Sequence, residues 1–460
     1  MEKLFGTDGI RGLANQWPLT PEFVTRIGHA IGQVLRGDGT APFASPSGDT
    51  RPLALIGHDT RLSGGMIENA LAAGLMSQGF DTLHLGILTT PGVAFLTHQL
   101  DARCGISISA SHNPFEDNGI KVFGSDGFKV PDERENEIET IAQSENANAI
   151  AVSPALLGRR TDETKPVDAY VDFLLNTANC EPVLKGQVII VDCNNGATFD
   201  LAPRVLRGLG AQVILLNDRP DGININRGYD ALEPTLLRQT VLSEGADWGV
   251  QFDGDGDRAV FVDGRGNYVD GDFVLAILAR DWAAHGKLAT RSVVSTVMAN
   301  VGLEKSLQEI GASLERTSVG DRWVTERMRA TGTQIGGEQS GHIVLFDGGH
   351  TTGDGIYTAV RLAQVMAQGN TSLATLAACM SKYPQVLVNV RVPRKPPFDQ
   401  LPKIQAQVDR AQKALGNEAR ILLRYSGTEN LARVMIEGMD EKEIAHEANE
   451  IARVIRENIH

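Results

Sequence analysis

Residues 248–258 read Trp-Gly-Val-Gln-Phe-Asp-Gly-Asp-Gly-Asp-Arg, an apolar run that passes directly into a turn of alternating aspartate and glycine. The run Trp248–Phe252 is typical of a buried strand, and the glycines after it allow the backbone to turn tightly. Open α/β sheets carry their chemistry beyond the carboxyl ends of such strands. This stretch therefore predicts an α/β fold and one place in it where a site is expected.

Short β-branched runs alternate with longer helical patterns on both sides of this stretch. Upstream, strands are expected at Leu53–Gly57, Thr82–Gly86 and Gly105–Ala110, with helices between them. The order restarts at Gln187–Asp192, and again after a hairpin expected through Asp263–Gly266. Serial strand–helix structure predicts mainly parallel, doubly wound sheets.

The domain organisation follows from these restarts. We expect three similar doubly wound α/β domains and a smaller C-terminal α+β domain, because the order of elements changes after Pro384. The 460 residues suffice for about three or four units at roughly 150 residues per domain. The expected domains are residues 1–155, 156–260, 261–380 and 381–460.

Charge and hydropathy exclude several classes of protein. Lys and Arg number 43 against 57 Asp and Glu, a net charge of −14, so the surface would repel nucleic acid and anionic membranes. No apolar run of about 18 residues and no secretory signal is found, so we expect a cytoplasmic protein without a membrane partner. An anionic small molecule remains open as a partner if basic residues are concentrated where it binds.

The aspartate turn is the strongest local signal. Asp253, Asp255 and Asp257 are like charges that repel one another unless a cation binds between them. An EF-hand loop begins similarly, but Arg258 and Gly264 stand where it requires glycine and glutamate. A solvated acidic turn is the alternative, and we predict an Mg²⁺ site that leaves one position open for a phosphate oxygen.

A second signal is the segment Ile106–Pro114, where Ser111 follows an expected strand. Catalytic side chains are found at this place in α/β sheets, although serine and Asn-Pro also form ordinary turns. No Gly-x-Ser-x-Gly motif surrounds Ser111, which argues against an esterase.

Three glycine-containing turns carry further polar residues. Segment 424–433 places two arginines around hydroxyl groups, a composition that suits phosphate, although an ordinary Ser-Gly hairpin is the alternative. Segment 336–342 presents a carboxylate, a hydroxyl and an imidazole, which can bind sugar hydroxyls and move protons. Segment 5–12 places Arg11 in an N-terminal loop.

These five segments, in this order, resemble the α-D-phosphohexomutase family across essentially the whole chain. Segments 5–15 and 337–342 are most similar to the bacterial members that act on glucosamine phosphate. The resemblance implies three α/β domains of one kind and a smaller fourth around a central cleft. It also implies interconversion of glucosamine 6-phosphate and glucosamine 1-phosphate through a 1,6-bisphosphate, which supplies UDP-N-acetylglucosamine and cell-wall precursors.

The same resemblance implies roles for individual residues. Ser111 would be the phosphoserine and would join Asp253, Asp255 and Asp257 as a ligand of one Mg²⁺ per chain. The other catalytic residues that it implies are Arg11, Lys121, Arg258 and His342. The substrate-binding residues that it implies are Glu338, Ser340, Arg424, Ser426, Gly427, Thr428 and Arg433. A sugar 1,6-bisphosphate would act as activator, and a phosphosugar would be the partner of a monomer or homodimer.

The chain departs from the family pattern at Tyr425 and Asn430, where lysine and proline are usual, at His58, and in segment 227–231. Three alternative functions stay open at this point. They are a phosphomannomutase or phosphoglucomutase of the same fold, a metal-dependent phosphatase, and a non-catalytic regulator that binds phosphosugars.

Overall fold

The computed structural model describes residues 3–6, 8–36, 51–144, 152–179, 181–230, 233–416, 419–426 and 430–459. The chain divides into two compact units. The first contains Met1–Ala299 and Ile310–Cys379, and the second contains Asn300–Glu309 and Met380–His460. Within the described residues, no helix combines the length and the apolar character needed to cross a bilayer.

The first sheet of the larger unit has seven strands in the order β1-β2-β6-β5-β3-β4-β7. Its strands are β1 (Phe5–Gly6), β2 (Gly9–Leu13), β3 (Leu53–His58), β4 (Asp81–Ile87), β5 (Cys104–Ile108), β6 (Asp117–Gly124) and β7 (Arg160–Asp162). The helices in this part of the chain are α1 (Pro21–Leu35), α2 (Gly64–Ser77), α3 (Thr90–Gln99), α4 (Asp132–Gln143) and α5 (Pro166–Thr177). Strands β3, β4, β5 and β7 are parallel, whereas β6 returns antiparallel to β5.

The second sheet has the order β12-β11-β10-β8-β9. Its strands are β8 (Val188–Asp192), β9 (Gln212–Leu216), β10 (Trp248–Phe252), β11 (Ala259–Asp263) and β12 (Tyr268–Val269). The helices here are α6 (Thr198–Gly208), α7 (Thr235–Glu244) and α8 (Gly271–Ala284). Strands β8, β9 and β10 are parallel, and β11 pairs antiparallel with β10. The hairpin expected through Asp263–Gly266 is confirmed by the antiparallel pairing of β11 with β12.

The third sheet has four strands in the order β14-β13-β15-β16. They are β13 (Ser292–Thr296), β14 (Ser313–Thr317), β15 (Ile335–Gly337) and β16 (Ile343–Leu345). The helices of this region are α9 (Val301–Glu309), α10 (Asp321–Thr331), α11 (Gly355–Gln368) and α12 (Leu373–Ala377). Helix α9 groups with the second compact unit, although strands β13 and β14 on either side of it belong to the first.

All three sheets share one plan that the sequence did not reveal. In each, a parallel strand is followed by a strand that returns antiparallel beside it: β5 by β6, β10 by β11 and β15 by β16. The α/β fold class is confirmed, but the sheets are mixed rather than mainly parallel, because of these returning strands. The turn between the two strands is where each sheet presents a loop.

The C-terminal part of the second unit is the expected small α+β structure. Its sheet is antiparallel in the order β17-β19-β18. Its elements are β17 (Gln385–Arg391), α13 (Pro402–Leu415), β18 (Arg420–Tyr425), β19 (Leu431–Glu437) and α14 (Glu441–Asn458). Helix α14 buries Ile444, Ile451 and Ile455, whose spacing places them on one apolar face against the sheet. The domain boundaries predicted at 155, 260 and 380 stay predictions.

Two helical glycines allow α1 and α2 to pack closely in the first domain. A Cβ atom added at Gly28 would lie 2.4 Å from the carbonyl oxygen of Leu71, and one at Gly74 would lie 2.2 Å from that of Thr25. Both contacts are with backbone, which cannot move aside as the end of a side chain can. The two helices therefore require glycine at both positions.

We predict that Gly74→Ala destabilises the protein by about 1–3 kcal/mol, although alanine is the better helix former, because the added methyl overpacks the helix contact. Urea unfolding followed by far-ultraviolet circular dichroism measures this change. Gly65→Ala in the same helix is the matched control, since no atom lies within 4 Å of its added Cβ. Equal effects of the two substitutions would contradict the packing argument.

Candidate active site

Each α/β sheet presents one loop between its paired parallel and antiparallel strands. The loop from β5 to β6 carries Ser111, the loop from β10 to β11 carries segment 253–258, and the loop from β15 to β16 carries segment 338–342. The first two loops meet, because the Ser111 Oγ donates a hydrogen bond of 2.6 Å to the Asp253 Oδ2. The contact joins the serine of the first domain to the aspartate turn of the second.

Ser111 is held in an unusual conformation. Its φ is +52°, in the left-handed region that non-glycine residues rarely occupy, and its side chain is 1% exposed. Its amide donates to the Ser109 Oγ at 2.9 Å, and the Ser109 hydroxyl donates to the Asp59 Oδ2 at 2.6 Å. In this backbone conformation the Ser111 hydroxyl faces Asp253.

The aspartate turn has the donor set of a hard-cation site. One carboxylate oxygen from each of Asp253, Asp255 and Asp257 lies within 4.8 Å of the others, and all three residues are buried. The Oδ1 atoms of Asp255 and Asp257 are buried and make no hydrogen bond. Buried carboxylate oxygens without partners and an all-oxygen set fit Mg²⁺.

The carboxylates of the turn differ in protonation. Burial, followed by repulsion from Asp257 and Asp255, raises the pKa of Asp253 well above its ordinary value. Burial also opposes ionisation of Asp255, but Lys121 and a hydrogen bond from Thr90 outweigh it and lower its pKa to about 2. One carboxylate of the turn therefore lacks a sufficient counter-charge, which is the condition that a bound cation relieves.

Lys121 brings a fixed positive charge to the turn from β6. Its Nζ lies 2.9 Å from the Asp255 Oδ2, 3.2 Å from the Asp257 Oδ2 and 3.0 Å from the Asp8 Oδ2, and the residue is 1% exposed. Burial would lower the pKa of Lys121, but the carboxylates of Asp255, Asp8 and Asp257 raise it well above its ordinary value. Lys121 is thus a permanent cation in contact with two residues of the proposed metal turn.

Three other expected catalytic residues lie around this cluster. The Arg11 Nη2 contacts the Asp8 Oδ2 at 2.5 Å, so Arg11 and Lys121 share one carboxylate. Arg258 and His342 pair as an isolated antiparallel β-bridge, which joins the second loop to the third. His342 is 2% exposed, and neither of its ring nitrogens makes a hydrogen bond.

The third loop also holds the two residues expected to bind sugar. The carboxylate of Glu338 is buried, and its Oε1 accepts a hydrogen bond of 3.1 Å from the Gly320 amide. Ser340 is partly exposed on the same turn. The structure therefore brings Glu338, Ser340 and His342 together on one loop of the larger unit.

The expected phosphate-binding residues lie in the second compact unit. Arg424 and Arg433 are opposite each other across the β18–β19 pair, and the Arg433 Nη2 lies 3.5 Å from the Ser426 Oγ. Burial, together with the nearby Arg433, lowers the pKa of Arg424. Gly427 and Thr428 lie outside the described residues. Two adjacent guanidinium groups beside a hydroxyl favour an anion such as phosphate.

Tyr425, one of the departures from the family pattern, has a packing role. Its hydroxyl donates a hydrogen bond of 2.6 Å to the Pro396 carbonyl, and its ring stacks on Phe398 with centroids 4.3 Å apart. The side chain thus fixes the segment before α13.

Sequence reasoning missed several residues that complete the site. Thr90 donates from its hydroxyl to the Asp255 Oδ2 at 2.7 Å and from its amide to the Asp255 carbonyl at 2.9 Å. The Lys129 Nζ contacts the Asp8 carboxylate and lies 2.5 Å from the Asp321 Oδ2. The same Asp321 oxygen lies 3.8 Å from the His342 Nε2. Asp8 stands in the quoted N-terminal segment and could have been found there, whereas nothing local distinguishes Thr90 or Lys129.

Comparison with known families gives one consistent match along the chain. Four models described as phosphoglucomutase/phosphomannomutase match it in order: alpha/beta/alpha domain I over residues 2–149, domain II over 168–266, domain III over 270–383 and the C-terminal domain over 387–454.

Similar proteins extend over the full length. A phosphoglucosamine mutase of Geobacter metallireducens is 44% identical over 459 residues, which cover 100% of this chain and 99% of the relative. A phosphoglucosamine mutase of Symbiobacterium thermophilum is 46% identical over 456 residues, 99% of each protein.

Solved structures agree on the fold. A phosphoglucomutase/phosphomannomutase family protein of Burkholderia thailandensis has a TM-score of 0.80 at 21% identity, covering 99% of this chain and 97% of that one. An N-acetylphosphoglucosamine mutase of Aspergillus fumigatus, in complex with GlcNAc-6P and magnesium, has a TM-score of 0.67 at 16% identity, covering 99% and 96%. The fold and the full-length similarity confirm the resemblance seen in the sequence, and the chain belongs to the phosphoglucomutase/phosphomannomutase family of phosphohexomutases.

Proposed function

We propose that the protein interconverts glucosamine 6-phosphate and glucosamine 1-phosphate, the reaction of a phosphoglucosamine mutase, through a phosphoserine at Ser111 and a 1,6-bisphosphate. The observation that carries this proposal is the 2.6 Å contact between the Ser111 hydroxyl and a buried turn of three aspartates. A serine so placed can carry a phosphoryl group beside a divalent cation. The names of the full-length relatives support glucosamine phosphate as the substrate.

Asp253, Asp255, Asp257 and an oxygen at Ser111 would hold one Mg²⁺. When bound there, the ion withdraws charge from a phosphoryl oxygen as a Lewis acid. The fixed cations Lys121 and Arg258 add to the positive charge around the same oxygens, and Lys121 is held in contact with the turn by its carboxylates.

In the first half of the reaction, O1 of glucosamine 6-phosphate attacks the phosphorus of phosphoserine 111. The bond from phosphorus to the Ser111 Oγ breaks, its electron pair stays on Oγ, and the sugar becomes the 1,6-bisphosphate. The proton of O1 must leave, and His342 is the proposed acceptor, because its ring nitrogens are free of hydrogen bonds. Arg11 shapes the same region through the carboxylate of Asp8 that it shares with Lys121.

Before the second half, the bisphosphate reorients within the site so that its 6-phosphoryl group lies beside Ser111. The Ser111 Oγ then attacks this 6-phosphoryl group. The bond from phosphorus to O6 breaks, O6 takes up the proton that His342 accepted in the first half, and glucosamine 1-phosphate leaves. A single distal phosphate site must then accept either end of the sugar. We assign that role to Arg424, Ser426, Gly427, Thr428 and Arg433, and we assign contacts to the sugar hydroxyls to Glu338 and Ser340.

The wider setting of the reaction belongs to the same proposal. A sugar 1,6-bisphosphate would prime the enzyme by transferring a phosphoryl group to Ser111. The protein would act in the cytoplasm as a monomer or homodimer, and its product would supply UDP-N-acetylglucosamine for cell-wall precursors.

Incubation with glucose 1,6-bisphosphate is expected to add the mass of one phosphoryl group to the wild-type protein and none to Ser111→Ala, which loses mutase activity. Intact-protein mass spectrometry measures the gain. Ser125→Ala is the control, because Ser125 is exposed in the turn after β6 and should leave loading unchanged. An unaltered turnover in Ser111→Ala would favour a reaction without a phosphoserine.

Mg²⁺ is expected to raise the melting temperature of the wild-type protein and to have no such effect on Asp255→Asn. A ligand at about 100 times its Kd stabilises a protein by about 2.7 kcal/mol, which a thermal-shift titration detects without any assay of activity. Asp126→Asn is the control, because Asp126 is exposed and outside the turn. Equal shifts in all three proteins would place the cation elsewhere.

Among glucosamine, glucose and mannose 6-phosphates, we expect the highest kcat/KM for glucosamine 6-phosphate. One contact to a distinguishing sugar group is worth about 1–3 kcal/mol, so the preference should be about tenfold or more. Faster turnover of mannose or glucose phosphate would identify a phosphomannomutase or phosphoglucomutase. Release of free phosphate in excess of isomerised sugar would identify a phosphatase.

A further inference from the structure

Two side chains from different domains converge on the backbone of the proposed phosphoserine. We infer that Arg61 and Asn226 are positioning residues for the phosphoryl transfer, which keep the Ser111 hydroxyl directed at Asp253 by holding the carbonyl groups of its loop. This inference rests on the proposed function, since it concerns the same serine.

Both side chains bind the same two carbonyl oxygens. The Ser111 carbonyl accepts hydrogen bonds from the Arg61 Nη2 at 2.9 Å and from the Asn226 Nδ2 at 2.7 Å. The Asn113 carbonyl accepts from the same two nitrogens, at 2.8 Å and 3.0 Å. Two donors on each of two carbonyls fix the direction of the Ser111–His112 and Asn113–Pro114 peptide groups. We name Arg61, Asn226 and these two carbonyls the carbonyl clamp.

Arg61 is itself held rigidly on the first-domain side. Its Nε donates to the Asp59 Oδ2 at 2.9 Å, its amide donates to the Asp59 Oδ1 at 2.9 Å, and both side chains are fully buried. The Arg61 Nη1 binds the carbonyls of Pro114 and Asp117. The guanidinium thus supports the whole turn from Ser111 to the start of β6, which a single-nitrogen cation could not do.

Asn226 connects the clamp to the metal turn. Its amide donates to the Asn194 carbonyl at 2.9 Å, and the Asn194 Nδ2 donates to the Phe252 carbonyl at 2.6 Å, at the end of β10. A Cβ atom added at Gly254 would lie 2.6 Å from the Ser111 carbonyl oxygen and 2.8 Å from the Asn226 Nδ2. The serine loop, the clamp and the aspartate turn therefore touch at one point, where there is room only for glycine.

The carbonyl clamp holds Ser111 in its left-handed backbone conformation. A left-handed conformation costs a non-glycine residue roughly 1–2 kcal/mol, so the loop would relax if its carbonyls were released. Relaxation would move the Oγ away from Asp253, and a misplacement of about 1 Å at a reacting atom can lower a rate by about 100-fold. The affinity for substrate would not change, because other residues are assigned to bind the substrate.

Asn226→Ala tests the inference. We expect the rate of Ser111 phosphorylation from glucose 1,6-bisphosphate, followed by rapid quenching and intact mass, to fall about 10- to 100-fold, and kcat to fall with it. KM for glucosamine 6-phosphate should stay within about twofold, because the contacts to substrate are intact. Arg61→Lys, which keeps the charge and loses the fork, should change the same quantities in the same direction.

Asn224→Ala is the matched control, because Asn224 lies in the same loop and binds Arg219 and Asp221 but no atom of the serine loop. Its loading rate and kcat should match those of the wild-type protein. Normal loading in Asn226→Ala, an equal loss in Asn224→Ala, or a change in KM alone would overturn the positioning role. A wild-type protein that gains no phosphoryl group would overturn the proposed function itself, and the inference with it.

Discussion

The confinement of three carboxylates in one buried turn is the constraint on which the larger unit depends. Asp253, Asp255 and Asp257 are almost entirely removed from water, so their mutual repulsion is weakly screened. The first domain supplies part of the compensation, through the Lys121 ammonium on β6 and the Thr90 hydroxyl at the start of α3. The second domain therefore cannot present its aspartate turn in this form without the first, and the site and the association of the domains share one cause.

The repeated strand arrangement explains why the functional residues are so far apart in the sequence. Each α/β sheet turns back on itself after a parallel strand, and the turn between the two strands carries one loop of the site. One loop supplies the serine, the next the carboxylates, and the third a carboxylate, a hydroxyl and an imidazole. The same pairing of a parallel strand with a returning antiparallel strand thus carries three different chemistries, because the residues of the three loops differ.

Much of this arrangement could be predicted from the sequence, and the exceptions have a physical reason. Strand Trp248–Phe252 agrees with the structure at both ends, and the strand expected at Leu53–Gly57 extends by one residue to His58, because apolar runs mark both strands. Strand β6 was not predicted, since it is buried on both faces and carries Lys121 in its middle, so it shows no polar–apolar alternation. The aspartate turn was evident from its own residues, whereas Thr90 and Asn226 act through contacts across domains, and Arg61 acts on a loop 50 positions away in the chain. No local pattern records such contacts.

The net charge of −14 is likewise a poor guide to the site, where buried charges of opposite sign alternate. Lys121 lies between Asp255 and Asp8, and Lys129 lies between Asp8 and Asp321, which faces His342. Breaking a buried ion pair by removing one partner typically costs about 3–5 kcal/mol, so each member is kept in place by the cost of leaving its neighbours unpaired. The series runs from the aspartate turn to the imidazole of the third loop. It therefore connects the two ends of the proposed chemistry through ion pairs.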